Sequence, residues 1–114
     1  MKQRLLVMNG QRLVQIEKEG QWATDKVEKA GPVKPGIYNI HLAVQADKAK
    51  THEGMILYQD RTHIYQQTGK SFVKHALSDF DKVPEIGSNS KIRYEQGAAQ
   101  ASQSTSLKLG RGIS

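Results

Sequence analysis

The 114-residue chain contains no cysteine. This absence excludes disulfides, thiolate zinc sites, iron–sulfur ligation and cysteine nucleophiles, and it fits a reducing compartment. Long apolar runs are lacking as well. The run that starts at Leu5 ends at Met8, whereas a signal peptide needs about 7–15 apolar residues and a membrane helix about 20. We therefore expect a cytoplasmic protein without a membrane segment.

The charge of the chain is weakly basic and widely distributed. There are 17 Lys and Arg against 11 Asp and Glu, which gives a formal net charge of +6. A net positive charge favours anionic partners, nucleic acid first. A DNA-binding arm or recognition helix would concentrate the excess, whereas here it is spread along the chain. Nucleic-acid binding is therefore kept as the alternative function.

The clearest local signal is a β-hairpin centred on Asn9-Gly10, the preferred pair for a type I′ turn. A two-residue loop places Leu5 opposite Val14 and Leu6 opposite Leu13. The period of two then directs one set of side chains to the core. This set is Leu5, Val7, Val14 and Ile16.

A second alternating segment extends from Ile37 to Ala46. Its period of two predicts one long strand, with Tyr38 and Val44 on the inner face and His41 and Gln45 on the polar face. Other alternating or β-branched stretches bounded by turn residues predict further strands. These lie at 21–27, 55–58, 63–67, 70–75 and 91–95.

Short strands separated by turns every 8–12 residues are typical of all-β barrels and sandwiches. We predict a small SH3-like or OB-like barrel of about six to eight short strands. Residues 1–35 form an N-terminal hairpin and third strand, and residues 36–97 form the main β domain. Residues 98–114 are rich in Ala, Gln, Ser and Thr and have no apolar face. They predict a disordered tail, because such a segment cannot bury enough apolar surface to order itself.

Four histidines recur at intervals of 11, 11 and 12 residues: His41, His52, His63 and His75. This spacing predicts corresponding positions on neighbouring strands. No carboxylate stands beside them at a metal-ligand spacing. The sequence therefore predicts neither a metal site nor a cofactor.

Catalytic motifs are incomplete. Thr68–Ser71 resembles the end of a P-loop, but Ile64 stands where that motif requires glycine. Ser71, His75 and Asp79 supply the residue types of a hydrolytic triad without a nucleophile elbow around the serine. We therefore expect no catalytic residues and no enzymatic activity.

The segment from Gly36 to Gly97 contains a series of short motifs in a definite order. They are Gly36-Ile37-Tyr38, Gln66-Gln67, His75, Pro84-Glu85-Ile86-Gly87 and Ile92-Arg93-Tyr94-Glu95-Gln96-Gly97. In this order and spacing they resemble the KfrB domain of broad-host-range (IncP-type) plasmids. The chain departs from the pattern at Ile40, where a small residue is expected.

The resemblance implies a non-enzymatic accessory role in plasmid stable inheritance or partition. The partners it implies are a KfrA-like coiled-coil DNA-binding protein and a further Kfr protein, which this chain would join as a protein–protein adaptor. Related domains also occur fused to mobilisation and conjugative-transfer proteins. The alternative is therefore a small basic nucleic-acid-binding barrel linked to mobilisation or transfer.

The matched residues are interpreted mainly as structural. Gly36, Gly87 and Gly97 give the backbone freedom at turns, Pro84 lies in a loop, and Tyr38 and Tyr94 are core or rim groups. Gln66 and His75 are expected to face each other across a hairpin, either hydrogen-bonded or as part of a partner-facing surface. The candidate partner-binding residues are thus His41, Gln45, Gln66 and His75, or else an exposed strand edge.

Overall fold

The computed structural model describes residues 2–103 and confirms the all-β prediction. Over these residues the chain forms ten strands and two short 3-10 helices, Ile40–Leu42 and Leu77–Asp79. The strands are β1 Gln3–Met8, β2 Gln11–Lys18, β3 Gln21–Lys29, β4 Gly36–Tyr38, β5 Val44–Gln45, β6 His52–Gln59, β7 His63–Thr68, β8 Ser71–Ala76, β9 Asn89–Glu95 and β10 Ala98–Gln103. None of the helices within 2–103 has the length and apolar character needed to cross a membrane.

The N-terminal residues build a four-stranded antiparallel sheet in the order β3-β2-β1-β4. The predicted hairpin register is confirmed, with Leu5 opposite Val14 and Leu6 opposite Leu13. Asn9 and Gly10 have φ angles of 53° and 74°, as a type I′ turn requires. The sheet also includes β4, which lies beyond the predicted boundary at residue 35.

The remaining strands form a six-stranded sheet in the order β10-β9-β6-β7-β8-β5. Its pairs are antiparallel except for β5 and β8, which run parallel. Within residues 2–103, no ladder joins this sheet to the first one. The prediction of a closed barrel is therefore wrong, because the chain divides its strands between two open sheets.

Two apolar clusters hold these layers together. The first lies between the sheets, where Leu5, Val7 and Val14 of the four-stranded sheet pack with Leu57 and Tyr58 of β6. The second lies on the opposite face of the six-stranded sheet, beneath the segment 77–86. Its buried members are Ile56, Ile64, Ile92 and Ala99. The six-stranded sheet is thus the middle layer of the molecule.

The long strand predicted at 37–46 is wrong. The segment contains the end of β4, the first 3-10 helix and the two-residue β5. Ile40 and Ala46 are buried, whereas Leu42 and Val44 are each 62% exposed. Since β4 belongs to one sheet and β5 to the other, the chain has to cross between layers here and cannot stay extended.

The predicted tail begins too early, because residues 98–103 form β10. Gln96 and Gly97 have φ angles of 53° and 82° and make a two-residue turn that folds β10 back onto β9. Backbone pairing supplies the order that side-chain composition alone does not. The rest of the predicted tail, residues 104–114, lies outside the described residues.

Candidate functional site

A chain of polar side chains crosses the buried face of the six-stranded sheet. His75 on β8 lies between Gln66 on β7 and Tyr94 on β9. Its Nε2 is 2.9 Å from Gln66 Oε1, and its Nδ1 is 2.7 Å from the Tyr94 hydroxyl. Gln66 and His75 are fully buried. The predicted contact between Gln66 and His75 is therefore confirmed as a hydrogen bond.

The orientation of Gln66 follows from the backbone around it. Its Nε2 donates toward three carbonyl oxygens, those of Ser90 at 2.9 Å, Gly54 at 3.1 Å and His52 at 3.4 Å. Only the amide nitrogen can donate to carbonyls, so Oε1 faces His75 and accepts a hydrogen bond from its Nε2. In the neutral ring, Nε2 then carries the hydrogen and Nδ1 accepts the hydroxyl hydrogen of Tyr94.

The electrostatics keep this network uncharged at neutral pH. The pKa of His75 is lowered to about 4, mainly by burial and also by the neighbouring His52, while Asp79 acts in the opposite direction. The pKa of Tyr94 is raised to about 12, mainly by burial and also by Asp79. Both nitrogens of the imidazole are engaged in hydrogen bonds. The arrangement therefore suits cross-linking of strands and offers no accessible base for chemistry on a substrate.

The regular histidine spacing brings only one pair of rings together. The His52 and His75 ring centroids lie 5.4 Å apart in an edge-on arrangement. His63 contacts the hydroxyl of Thr62, and His41 donates from Nδ1 to the Gln3 carbonyl at 2.9 Å. Among the described residues, no group of three or more His, Asp or Glu side chains could hold a metal ion.

The four candidate partner-binding residues do not form one surface. Gln66 and His75 are buried, so the idea that they face a partner does not fit this fold. His41 contacts the first strand of the four-stranded sheet. Gln45 lies in β5 at the edge of the other sheet, where it pairs with Lys74. The structure therefore separates these residues into a buried pair, His41 beside β1 and Gln45 at the edge of the six-stranded sheet.

The other motif residues occupy structural positions. Gly87 has a φ of 89°, and a Cβ there would collide with the ring of Pro32. Tyr38 donates its hydroxyl hydrogen to the Lys34 carbonyl at 2.6 Å. Gly36 opens β4, Pro84 lies in the loop before Gly87, and Gly97 completes the last turn.

The four-stranded sheet has a second face, which points away from the core and which we call the outer face. Four apolar side chains lie in register across it: Val27, Leu13, Leu6 and Ile37. Val27 is 54% exposed, Ile37 is 56% exposed, and the two leucines are partly exposed. They form a continuous apolar row, one residue from each strand, that no described element buries.

An aromatic and a cation lie beside this apolar row. The guanidinium carbon of Arg4 lies 4.2 Å from the ring centroid of Trp22, in cation–π geometry. Arg4 Nε also donates to Gln15 Oε1 at 2.8 Å. The ring of His41 lies close to the Trp22 ring, with the two centroids 6.3 Å apart. Arg4 and Trp22 are therefore held in a fixed arrangement next to the row.

The outer face is also encoded in the sequence of the hairpin, although the assignment of core residues alone does not identify it. The alternation that assigned Leu5 and Val14 to the core also placed Leu6 and Leu13 together on the opposite face. A polar outer face would be typical of a sheet that is solvated on one side. Leucines at both positions were thus the sequence signal for an apolar surface.

The fold and the buried network define a small all-β domain of two packed sheets. Residues 51–103 match the family model described as KfrB Domain, so the chain carries a KfrB domain and the resemblance is confirmed over that range. The motif Gly36-Ile37-Tyr38 lies outside the match. The matched range contains β6 to β10 and the Gln66–His75–Tyr94 network. The four-stranded sheet lies outside it.

This chain is similar to Protein TraB from Escherichia coli, with 34% identity over 97 residues. The match covers 82% of this chain and 66% of that protein. Together with the KfrB domain, this relative supports a plasmid-associated protein.

Proposed function

We propose that this chain is a non-enzymatic accessory protein of plasmid stable inheritance that acts as a protein–protein adaptor. The KfrB domain and the TraB relative support the plasmid association. The observation that carries the adaptor role is the apolar row on the outer face. A contiguous exposed apolar surface on a soluble protein is typical of a site that a partner covers.

The two sheets divide the work in this proposal. Strands β6 to β10 of the six-stranded sheet lie within the KfrB match, and hydrogen bonds of the neutral network around His75 cross-link this sheet. The four-stranded sheet shares a core with it and presents the apolar row outward. The partners we propose are a KfrA-like coiled-coil DNA-binding protein and a further Kfr protein.

The non-enzymatic part of the proposal is supported by the state of the titratable groups. The pKa of His75 is lowered, but its ring is fully buried and both nitrogens are hydrogen-bonded. Tyr94 donates to that ring, and its raised pKa disfavours a phenolate at neutral pH. Neither group is prepared to exchange a proton with a bound substrate.

The proposal is tested by plasmid retention without selection, in cells that express variants of this chain. The double variant Val27→Asp/Ile37→Asp removes the two most exposed members of the row, and we expect it to lose the plasmid as fast as a strain without the chain. The matched control Leu42→Asp/Val44→Asp makes the same chemical change at similarly exposed positions, 62% each. We expect the control to retain the plasmid normally. Normal retention by both folded variants would contradict the proposal.

One observation favours a nucleic-acid-binding role as the second candidate. Lys91 and Arg93 are exposed on the same face of β9 and line a shallow depression of about 340 Å³ together with Gln100 and Ser102. Phosphate contacts made there would be lost with added salt through counterion release. Salt-sensitive binding of plasmid DNA that disappears in Lys91→Ala/Arg93→Ala would support this candidate over the adaptor.

A further inference from the structure

The apolar row has a definite length and direction. It runs perpendicular to the strands from Val27 on β3 to Ile37 on β4, through Leu13 and Leu6. Neighbouring strands lie about 4.8 Å apart, so the four side chains span about 14 Å. An α-helix rises about 1.5 Å per residue, so apolar residues at i, i+4, i+7 and i+11 span about 16 Å. One apolar stripe of a helix therefore matches the row in length.

The charges that border the row are mainly positive. Arg4 lies on the outer face, and strand alternation and register also place Lys2 and Lys29 there, on either side of the row. Two acidic residues lie at the same border: Glu17, opposite Trp22, and the exposed Asp25, at the bulge of β3 two residues from Val27. The three cations Lys2, Arg4 and Lys29 outnumber these two anions, which favours a partner with acidic side chains beside its apolar stripe.

The same charges argue against a second copy of this chain as the occupant. Two outer faces packed together would bring two sets of lysines and an arginine into one interface. Like charges across an interface are unfavourable when water is excluded. An acidic partner would be attracted to the same border, so charge complementarity selects it over self-association.

We propose that the outer face binds an amphipathic helix of a protein partner, laid across the four strands, whose apolar stripe is bordered by acidic residues. This inference rests on the proposed adaptor function and specifies the chemistry of the partner. The apolar row fills the role of the docking strip, and Lys2, Arg4 and Lys29 set the sign of the charge that is accepted. Helix-in-groove recognition uses the same spacing of anchors.

The test uses Trp22, which is the single tryptophan of the chain and lies on this face. A tryptophan-free synthetic helix of about 18 residues, with leucines at helical spacing and glutamates beside them, is titrated into the full chain. We expect a saturable change in Trp22 emission. The affinity derived from it should fall severalfold when salt is raised to about 0.5 M, because salt screens the charges. The same peptide with lysine in place of glutamate should give no saturable change.

Two variants locate the binding. Val27→Asp/Ile37→Asp should lower the affinity for the acidic peptide at least about tenfold, since it removes apolar anchors and adds repulsive negative charge. Leu42→Asp/Val44→Asp should bind it like the unmodified chain. Equal binding of the acidic and lysine peptides, or unchanged binding to Val27→Asp/Ile37→Asp, would overturn the inference.

The remaining outcomes separate this inference from the adaptor function. If the acidic peptide fails to bind but Val27→Asp/Ile37→Asp still abolishes plasmid retention, the face is used and the helical acidic occupant is wrong. If sedimentation shows a dimer that this double variant dissociates, a second copy occupies the face and the inference is overturned. Peptide binding combined with normal plasmid retention by the double variant supports the inference about the surface and contradicts the adaptor function.

Discussion

The imidazole of His75 and the side-chain amide of Gln66 are joined by a 2.9 Å hydrogen bond inside the protein, with neither side chain reaching solvent. Through Tyr94 on one side and the carbonyls of Gly54 and Ser90 on the other, this bond connects four adjacent strands, β9, β6, β7 and β8. Three motif residues that lie far apart along the chain therefore act as one cross-link.

Removal of the central ring should destabilise the fold strongly. His75→Ala leaves a cavity and deprives Gln66 Oε1 and the Tyr94 hydroxyl of their partner, so we expect a loss of about 2–4 kcal/mol in the free energy of unfolding. Tyr94→Phe removes one hydrogen bond and should lose about 1 kcal/mol. Urea denaturation followed by circular dichroism measures both values. Equal and small losses in the two variants would show that the network contributes little.

The lowered pKa of His75 predicts a specific dependence of stability on pH. The folded-state pKa is about 4 against an ordinary value of 6.5, mainly because burial disfavours the charged ring. The unfolded chain therefore takes up the proton first as pH falls, and the stability contributed by neutral His75 is complete above pH 6.5 and is lost progressively toward pH 4. The shift corresponds to about 3 kcal/mol at most.

Denaturation at several pH values checks this dependence. Between pH 6.5 and 4, the free energy of unfolding should fall less steeply in His75→Gln than in the unmodified chain. The variant keeps polar contacts but cannot titrate, so it isolates the histidine from the carboxylates. Identical slopes would assign the acid sensitivity to other groups.

Gly54 should be far less replaceable than Gly10. A Cβ at Gly54 would overlap the carbonyl oxygen of Gln67 on the neighbouring strand, whereas a Cβ at Gly10 would meet open space. Gly10→Ala should therefore lose about 1 kcal/mol, from the positive φ alone. Gly54→Ala should lose more than about 2 kcal/mol, because backbone must move. Thermal unfolding of the two variants measures this difference. Equal shifts of the midpoint would contradict the close approach of Gly54 to the Gln67 carbonyl.

The ion pair between the buried Arg12 and the exposed Glu28, on the inner side of the first sheet, should tolerate substitution of Arg12 better than substitution of Glu28. Arg12 is buried and bonds Glu28 at 2.7 Å, while its Nε has no hydrogen-bond partner among the described residues. Arg12→Met should change stability by less than about 1 kcal/mol, because it removes a desolvated charge along with the pair. Glu28→Ala should lose about 2 kcal/mol or more, since it leaves that charge unpaired. A larger loss of stability in Arg12→Met than in Glu28→Ala, measured by chemical denaturation, would contradict this prediction.

The sequence was most informative where local chemistry fixes geometry. Asn9-Gly10 dictates the turn, and the turn dictates the register of β1 and β2. It failed where the answer depends on what the segment packs against. The alternation of 37–46 is compatible with a strand. However, Ile40 packs in the core between the sheets, whereas Gln45 lies in the edge strand of the six-stranded sheet, where it pairs with Lys74 of β8. Local periodicity contains no information on a crossing between layers.

The candidate site divides in the same way. The contact between Gln66 and His75 could be inferred, because β7 and β8 form a hairpin in which these two residues are diagonal neighbours on one face, Gln66 being opposite Val73 and His75 opposite Ile64. Burial of that contact could not, since it depends on the segment 77–86 that covers the sheet. The apolar row needed the pairing of β4 with β1 to bring Ile37 beside Leu6. That pairing joins residues separated by the whole of β2 and β3.

The adaptor function requires the outer face of the four-stranded sheet to contact a protein in the cell. Photocrosslinking tests it most directly, with a photoreactive amino acid in place of Ile37 or, as the control, in place of the similarly exposed Val44. In plasmid-bearing cells, we expect a discrete crosslinked protein from position 37 and none from position 44. Crosslinks from position 44 alone, or to DNA alone from position 37, would contradict it.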